Sequence, residues 1–298
     1  MRDNIRISMV QMTSTNTHAG NVALLRAAAR RAASDGADML ALPEVAGLMD
    51  RDTDHARAQI TGESDDPYIA ACREEAARHH LWVHSGSTPV KGPDGRYLNH
   101  TVLVDPGGDI TARYDKIHLF DVFLEGQKPT GESSRYAPGS EAVLADSPFG
   151  PLGLSVCYDL RFPHLYRDYA RAGATLMFVP SAFTVPTGRA HWEILLRARA
   201  IENGAYVIAA AQVGTHDDGR VTWGHSLIVS PWGEVLADLG GDGPGQITLD
   251  LPLDAVAKAR QQIPNLLNGR DYILRGPPPE TSPETLHSEK DAPKGAVR

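Results

Sequence analysis

The chain has 298 residues, of which 42% are apolar and 22% charged, and its formal net charge is −8. This composition is typical of a globular protein with a large core, and the acidic balance without a basic run argues against nucleic acid as a partner. Two cysteines, Cys72 and Cys157, are too few for a disulfide scaffold, and the first residues lack the apolar core of a signal peptide, so we expect a cytoplasmic protein. No apolar stretch reaches the roughly 18 residues of a membrane-spanning helix, which excludes a membrane protein.

The first part of the chain predicts alternating strands and helices. Residues 5–12 alternate apolar and polar side chains, which indicates a strand, and residues 21–33 carry apolar side chains at helical spacing. A short apolar run at 37–42 predicts a buried strand, and Glu44 stands just past its end. In parallel α/β architectures this sheet edge collects catalytic groups, so Glu44 is a candidate, although its position also fits a solvated loop carboxylate. The next predicted elements are a helix at 65–80, a strand at 82–88 and a hairpin formed by 98–104 and 110–114.

Lys116 follows this hairpin directly. A lysine in such a place is most often a solvated surface charge, so its position alone does not make it catalytic. Residues 121–140 then lose apolar periodicity and accumulate Gly, Pro, Ser and Thr. A loop of this length in a compact domain is usually functional or disordered, and this one carries Glu132 as a further candidate.

Cys157 stands where a predicted strand stops abruptly. Leu152, Leu154 and Val156 indicate the strand, and Pro163 marks the first turn of a following helix. A side chain at a strand-to-helix turn is held out of the sheet, and the amino end of the helix would lower the pKa of a thiol there. We therefore expect a reactive thiolate, with an ordinary buried cysteine as the alternative.

The rest of the chain continues the same pattern and then changes in composition. Helices are predicted at 165–172, 189–203 and 253–262, and strands at 174–180, 205–213, 225–230, 234–239 and 246–251. The final segment is proline-rich, charged and poor in large apolar groups, so it cannot bury enough surface to become ordered by itself. We predict one folded domain, 1–275, and a flexible tail, 276–298.

A thiol, a carboxylate and an ammonium are the groups that amide hydrolysis requires as nucleophile, proton carrier and oxyanion stabiliser. Spacing alone does not show that the candidates meet. The histidines are scattered and form no HExxH pair, so no metal site and no cofactor are expected. His118, close to Lys116, could form a Cys-His dyad or a structural hydrogen bond.

Several segments together resemble the carbon-nitrogen hydrolase, or nitrilase, superfamily in its branch of Nit-type amidases. They are LALPE, YDKIHLF, VCYDLRFP, PSAFTVPTGRAHWEILLRARAIEN and WGHSLIVSPWGEV, in order over roughly residues 5 to 265. The resemblance implies an α/β fold, a four-layer αββα sandwich with a Cys-Glu-Lys centre. It also implies a homodimer or larger homo-oligomer with a small-molecule amide substrate.

The resemblance implies a role for each residue of the centre. Cys157 would be the nucleophile that forms a thioester, and Glu44 the general base. Lys116 would stabilise the oxyanion together with the backbone N–H of Tyr158. Glu132, in the segment GESSRYAPG, resembles the second glutamate of the family, which would hold Lys116 and the substrate in place.

The resemblance also implies that Arg161 binds the acid end of a 2-oxo acid amide, because a planar guanidinium suits a carboxylate. A salt bridge to Asp159 or to a neighbouring residue is the alternative for this arginine. The run AIENGAYVIAAAQVG favours the deaminated-glutathione amidase branch, whereas QQIP occurs in ω-amidase-like chains. An ω-amidase acting on 2-oxoglutaramate or 2-oxosuccinamate, another aliphatic amidase, and an inactive scaffold that binds partners through its sandwich surface remain as alternatives.

Overall fold

The first sheet is built around the amino-terminal strand. In a computed structural model that describes residues 2–122 and 130–276, seven strands form this sheet. They are β1 (Asn4–Gln11), β2 (Met39–Ala41), β3 (Trp82–His84), β4 (Thr88–Lys91), β5 (Tyr97–Val104), β6 (Ile110–Asp115) and β17 (Gly245–Pro252). The order is β17-β1-β2-β3-β5-β4, and β6 pairs with β5. Strands β1, β2 and β3 run parallel to one another, so the carboxyl ends of these neighbours meet at one edge.

The second sheet contains the short apolar strands of the central part of the chain. Its strands are β9 (Leu144–Ala145), β10 (Leu152–Leu154), β11 (Leu176–Phe178), β12 (Tyr206–Ala209), β15 (Leu227–Val229) and β16 (Val235–Asp238). The order is β16-β15-β12-β11-β10-β9, with β10, β11 and β12 parallel. Because both faces of these parallel strands are covered, they are apolar throughout. Two small pairs also form, β7 (Asp121–Val122) with β8 (Thr130–Gly131) and β13 (Val213–Thr215) with β14 (Val221–Trp223).

The two sheets pack face to face between two layers of helices. The helices of the described residues are α1 (His18–Ser34), α2 (Thr53–Gln59), α3 (Pro67–His79), α4 (Pro163–Arg171), α5 (Val185–Asn203) and α6 (Asp254–Gln262). Side chains of β1 alternate between two cores, because successive residues of a strand point to opposite faces. Ile5, Ile7 and Met9 pack towards the second sheet, and Val10 packs with α1 and α3. The result is the four-layer αββα sandwich that the family resemblance implies.

Several predicted elements have different bounds in the structure. The strand expected at 82–88 is interrupted by the segment Ser85-Gly86-Ser87, because Gly86 has a φ of +69° and a side chain there would meet the carbonyl oxygen of Pro43. The strand expected at 205–213 divides into β12 and β13. Helix α5 begins at Val185 rather than at 189, since a proline suits the first turn of a helix. Helix α2 was not predicted; only one of its seven residues, Ala56, is buried, so it lacks an apolar stripe.

The chain divides into a compact unit, Met1–Leu267, and a second unit that begins at Asn268. In the second unit, residues 268–276 contain neither helix nor strand. The predicted domain boundary at 275 and the tail stay predictions, because residues 277–298 lie outside the described part. Every helix of the described residues is too short or too polar to cross a membrane.

Candidate active site

The structure brings Glu44, Lys116, Glu132 and Cys157 together around one cavity of about 340 Å³, and Tyr158 also lines it. The cavity is within the size range of small-molecule sites. Three of the four residues follow strands of the two large sheets. Glu44 lies past β2, Lys116 directly follows β6, and Cys157 lies past β10. The two sheets therefore supply opposite walls of one site.

Lys116 lies between the two carboxylates and is 1% exposed. Its Nζ atom is 2.9 Å from Oε1 of Glu44 and 2.8 Å from Oε2 of Glu132. Burial lowers the pKa of Lys116, but the charges of Glu132 and Glu44 outweigh burial and hold this pKa well above its ordinary value. Lys116 is therefore a fixed ammonium that donates to both carboxylates.

Both oxygens of Glu44 have hydrogen-bond donors. Oε1 accepts from the side chain of Asn99 at 3.0 Å in addition to Lys116, and Oε2 accepts from the backbone N–H of Ala182 at 2.9 Å. The next residue, Val45, has a φ of +48°, and its N–H donates to Oγ of Ser87 at 2.8 Å. This strained backbone is held in place by the hydrogen bond, so the carboxylate has one orientation.

Cys157 occupies a strained turn rather than a regular helix. Its φ is +50°, its N–H donates to the carbonyl of Pro180 at 3.0 Å, and it begins the 3₁₀ turn Cys157–Arg161. The buried Asp159 carboxylate supports this turn, since it accepts from the N–H of Val156 at 2.8 Å and from the hydroxyl of Tyr114 at 2.6 Å. The thiol thus faces the cavity although the residue is only 7% exposed.

The expected lowering of the thiol pKa is wrong. Burial raises the pKa of Cys157 well above its ordinary value, the negative charge of Glu44 raises it further, and Lys116 opposes the shift. The reason is geometric: the regular helix α4 begins only at Pro163, so Cys157 is not in its first turn. The raised pKa favours the protonated thiol, and Glu44 is the base beside it.

Arg161 is not among the residues that line the cavity, but its guanidinium lies 5.8 Å from the ring centre of Tyr158, which does line it. Its expected role in binding the substrate acid stays a prediction. Its guanidinium donates to Nδ1 of His191 at 3.2 Å and lies 5.8 Å from the ring centre of Phe183. The alternative salt bridge to Asp159 is not formed, because that carboxylate accepts from other groups. Arg161 ends the 3₁₀ turn, where the direction of its side chain could not be inferred from sequence spacing.

Of the two alternatives for His118, a Cys-His dyad and a structural hydrogen bond, the structure shows the hydrogen bond. Its Nδ1 atom lies 2.6 Å from Oδ1 of Asp159, and its ring stacks on Phe162 with the ring centres 3.5 Å apart. It therefore helps to hold the turn that carries Cys157. His118 is not among the residues that line the cavity.

Other lining residues were missing from the sequence prediction. Arg51, Arg135 and Arg220 line the cavity. Arg135 lies within the segment GESSRYAPG that carries Glu132, and Arg220 shortly precedes the segment WGHSLIVSPWGEV, but neither position has a chemical signature of its own. Among the described residues no group of three or more His, Cys, Asp or Glu side chains could hold a metal ion.

Comparisons with known proteins point to one family. The family model for carbon-nitrogen hydrolases matches residues 6–261. A deaminated glutathione amidase from Synechocystis sp. is 38% identical over 262 residues, which are 86% of this chain and 95% of the relative.

Two solved structures are similar in fold and sequence. The Caenorhabditis elegans NitFhit protein has a TM-score of 0.83 and 37% identity, and the match covers 90% of this chain and 65% of that longer chain. The amidase from Nesterenkonia sp. AN1, in a mutant that shows acrylamide added at its active site cysteine, has a TM-score of 0.72 and 30% identity, over 87% of this chain and 98% of its own.

Proposed function

The chain belongs to the carbon-nitrogen hydrolase family, whose enzymes act on C–N bonds, and we propose that its amidase activity proceeds through a thioester on Cys157. The observation that carries the proposal is the placement of Lys116, whose Nζ lies 2.9 Å from Glu44 and 2.8 Å from Glu132 in the cavity that Cys157 lines. The arrangement supplies a nucleophile, a base and a fixed positive charge in one site.

The first half-reaction acylates the thiol. Glu44 takes the proton of Cys157 as the sulfur attacks the amide carbonyl carbon, so the thiolate is generated only as the reaction proceeds. The carbonyl π electrons move to oxygen and form a tetrahedral oxyanion. When these electrons return, the C–N bond breaks, and Glu44 gives its proton to the departing amine or ammonia. A thioester remains on Cys157.

The second half-reaction consumes water. Glu44 removes a proton from the water as its oxygen attacks the thioester carbonyl, and a second tetrahedral intermediate forms. The C–S bond then breaks, the sulfur recovers the proton from Glu44, and the carboxylic acid leaves. Glu44 thus ends each cycle in the state in which it began, as the proton balance requires.

Lys116 and Glu132 act together on the oxyanion. The ammonium of Lys116 and the backbone N–H of Tyr158 stabilise the negative oxygen in both intermediates. Glu132 accepts from Lys116 through both carboxylate oxygens and from the N–H of Phe120 at 2.7 Å. Glu132 is therefore the residue that fixes the position of the ammonium.

The proposed substrate is an amide of a small 2-oxo acid, of the deaminated glutathione type. The relatives named deaminated glutathione amidase, which match along most of this chain, support this class. An ω-amidase acting on 2-oxoglutaramate or 2-oxosuccinamate, or another aliphatic amidase, would use the same chemistry. We further propose a cytoplasmic homodimer or larger homo-oligomer that uses no cofactor.

A panel of amides tests the proposal. Deaminated glutathione, 2-oxoglutaramate, 2-oxosuccinamate and a neutral aliphatic amide are each incubated with the wild type and with Cys157→Ala, and the release of amine or ammonia is measured. We expect the largest kcat/KM for deaminated glutathione and no turnover by the variant. Release by the wild type that does not exceed that of the variant on every amide would contradict the proposed function.

A further inference from the structure

Arg51, Arg135 and Arg220 line the same cavity as Cys157, and the mechanism above uses none of them. The cavity contains a fourth cation, Lys116, but its charge is balanced by two carboxylates at hydrogen-bonding distance. The three arginines differ from Lys116, because only Arg220 forms an ion pair with an acidic side chain of the described residues.

Arg51 and Arg135 form no ion pair in the described part of the chain. Arg135 donates from one terminal nitrogen to the carbonyl of Asp50 at 3.1 Å, and its Nε is buried without a hydrogen-bond partner there. The Asp50 carboxylate is not that partner, since it contacts Nδ1 of His55 and the N–H of Asp52. A buried donor without an acceptor is unfavourable, so an acceptor on a bound molecule would stabilise Nε of Arg135.

Arg220 brings a third guanidinium charge to the cavity. Its guanidinium pairs with Asp218 at 2.6 Å. Burial lowers the pKa of Arg51, and the charge of Arg220 lowers it further, with partial compensation from Asp218. Arg51 and Arg220 line one cavity, and two such positive charges are stabilised when an anion binds near both of them.

Tyr136 lines the cavity together with Arg51, Arg135 and Arg220, which form its arginine wall, and with the catalytic residues. Burial raises the pKa of its phenol, and the charges of Arg135 and Arg220 act on it as well as those of Glu132 and Glu44. Tyr136 lines the same cavity as both groups of charges. One small molecule that occupies the cavity can contact the arginine wall and the thiol together.

We propose that Arg51, Arg135 and Arg220 form a carboxylate-binding subsite, which holds an acid group of the substrate while the scissile carbonyl lies at Cys157. This proposal rests on the proposed amidase function and gives the recognition of the acid group to these arginines rather than to Arg161. Guanidinium groups suit the task because their planar forks bind carboxylates through paired, charge-assisted hydrogen bonds.

A protection assay tests the subsite without turnover. The full chain is treated with iodoacetamide, which is neutral, and alkylation of Cys157 is followed by peptide mass spectrometry at increasing concentrations of 2-oxoglutarate. Arg51→Gln and Arg135→Gln are compared with the wild type and with Arg30→Gln, which removes an exposed arginine of α1. We expect half-protection of the wild type and of Arg30→Gln at the same concentration, and at least an about fivefold higher concentration for both cavity variants. No protection of the wild type, or equal half-protection in all four proteins, would overturn the subsite.

Kinetics then show which acid group is bound. In one outcome, Arg51→Gln raises the KM for both 2-oxoglutaramate and deaminated glutathione and retains kcat. The arginines then bind the carboxylate in the acyl portion of the substrate. If KM rises for deaminated glutathione alone, the arginines bind the carboxylate of the amine that leaves. An unchanged KM for both substrates would overturn the subsite. Failure of the wild type to hydrolyse any amide would refute the proposed function instead, and the protection assay would still report on the arginines.

Discussion

Replacing Lys116 by methionine separates the two roles that its ammonium has in the structure. The side chain is 1% exposed and lies between Glu44 and Glu132. Methionine keeps the length but leaves two carboxylates without their shared cation. Removing one partner of a buried ion pair costs about 3–5 kcal/mol, and removing an oxyanion donor costs on the order of 10²–10³ in kcat. We expect Lys116→Met to show losses of this size in both the free energy of unfolding and kcat.

A second variant distinguishes charge burial from catalysis. In Lys116→Met/Glu132→Gln one of the two uncompensated charges is gone, so we expect part of the unfolding free energy to return while kcat stays low. Urea unfolding followed by tryptophan fluorescence and amine release are measured on the same preparations, with Glu132→Gln as the single-variant control. If kcat returns together with stability in the double variant, Lys116 only supports the fold, and the reasoning about the oxyanion is refuted.

Three further predictions concern the thiols and a buried histidine. Cys72→Ala should keep kcat within about twofold, because this cysteine is a buried residue of α3 in the core outside the cavity, and a large loss in amine release would contradict a single catalytic thiol. Alkylation of Cys157 by iodoacetamide should keep increasing from pH 6 to about 9, because its thiol pKa lies well above the ordinary value, and a plateau near neutrality would contradict that direction. Burial lowers the pKa of His84 to about 3, whereas an unfolded histidine titrates near 6.5, so stability should fall as the pH falls through this interval, by up to about 1.4 kcal/mol per pH unit. His84→Phe should reduce this pH dependence in urea unfolding, and an unchanged dependence would argue against His84 as its source.

The sequence predicted the parts of the fold that have a local pattern. The alternation in residues 5–12 predicted β1 and its two faces, and the apolar runs predicted the buried parallel strands of the second sheet. Helix α2 could not be found in this way, because it carries no apolar stripe; its amino end is capped by the carboxylate of Asp52. The break in the strand at Gly86 depends on the distant backbone of Pro43, which no local pattern shows.

The sequence predicted those site residues that lie in segments typical of the family. It did not predict residues whose place in the site depends on the direction of their side chains. Glu44, Lys116 and Cys157 follow strands, and sheet topology brings those strand ends together. Arg161 is four residues beyond Cys157, but the intervening 3₁₀ turn directs its guanidinium to His191. Arg220 lies in the turn between β13 and β14, far along the chain from Glu44 and Lys116, so only the folded structure shows that it lines the cavity.

The most direct test of the central claim is mass spectrometry of the enzyme quenched with acid during turnover of deaminated glutathione. We predict a thioester-linked acyl group on the peptide that contains Cys157 in the wild type, and no such group in Cys157→Ala. An unmodified Cys157 during steady turnover, or an acyl group on Cys72, would contradict the account.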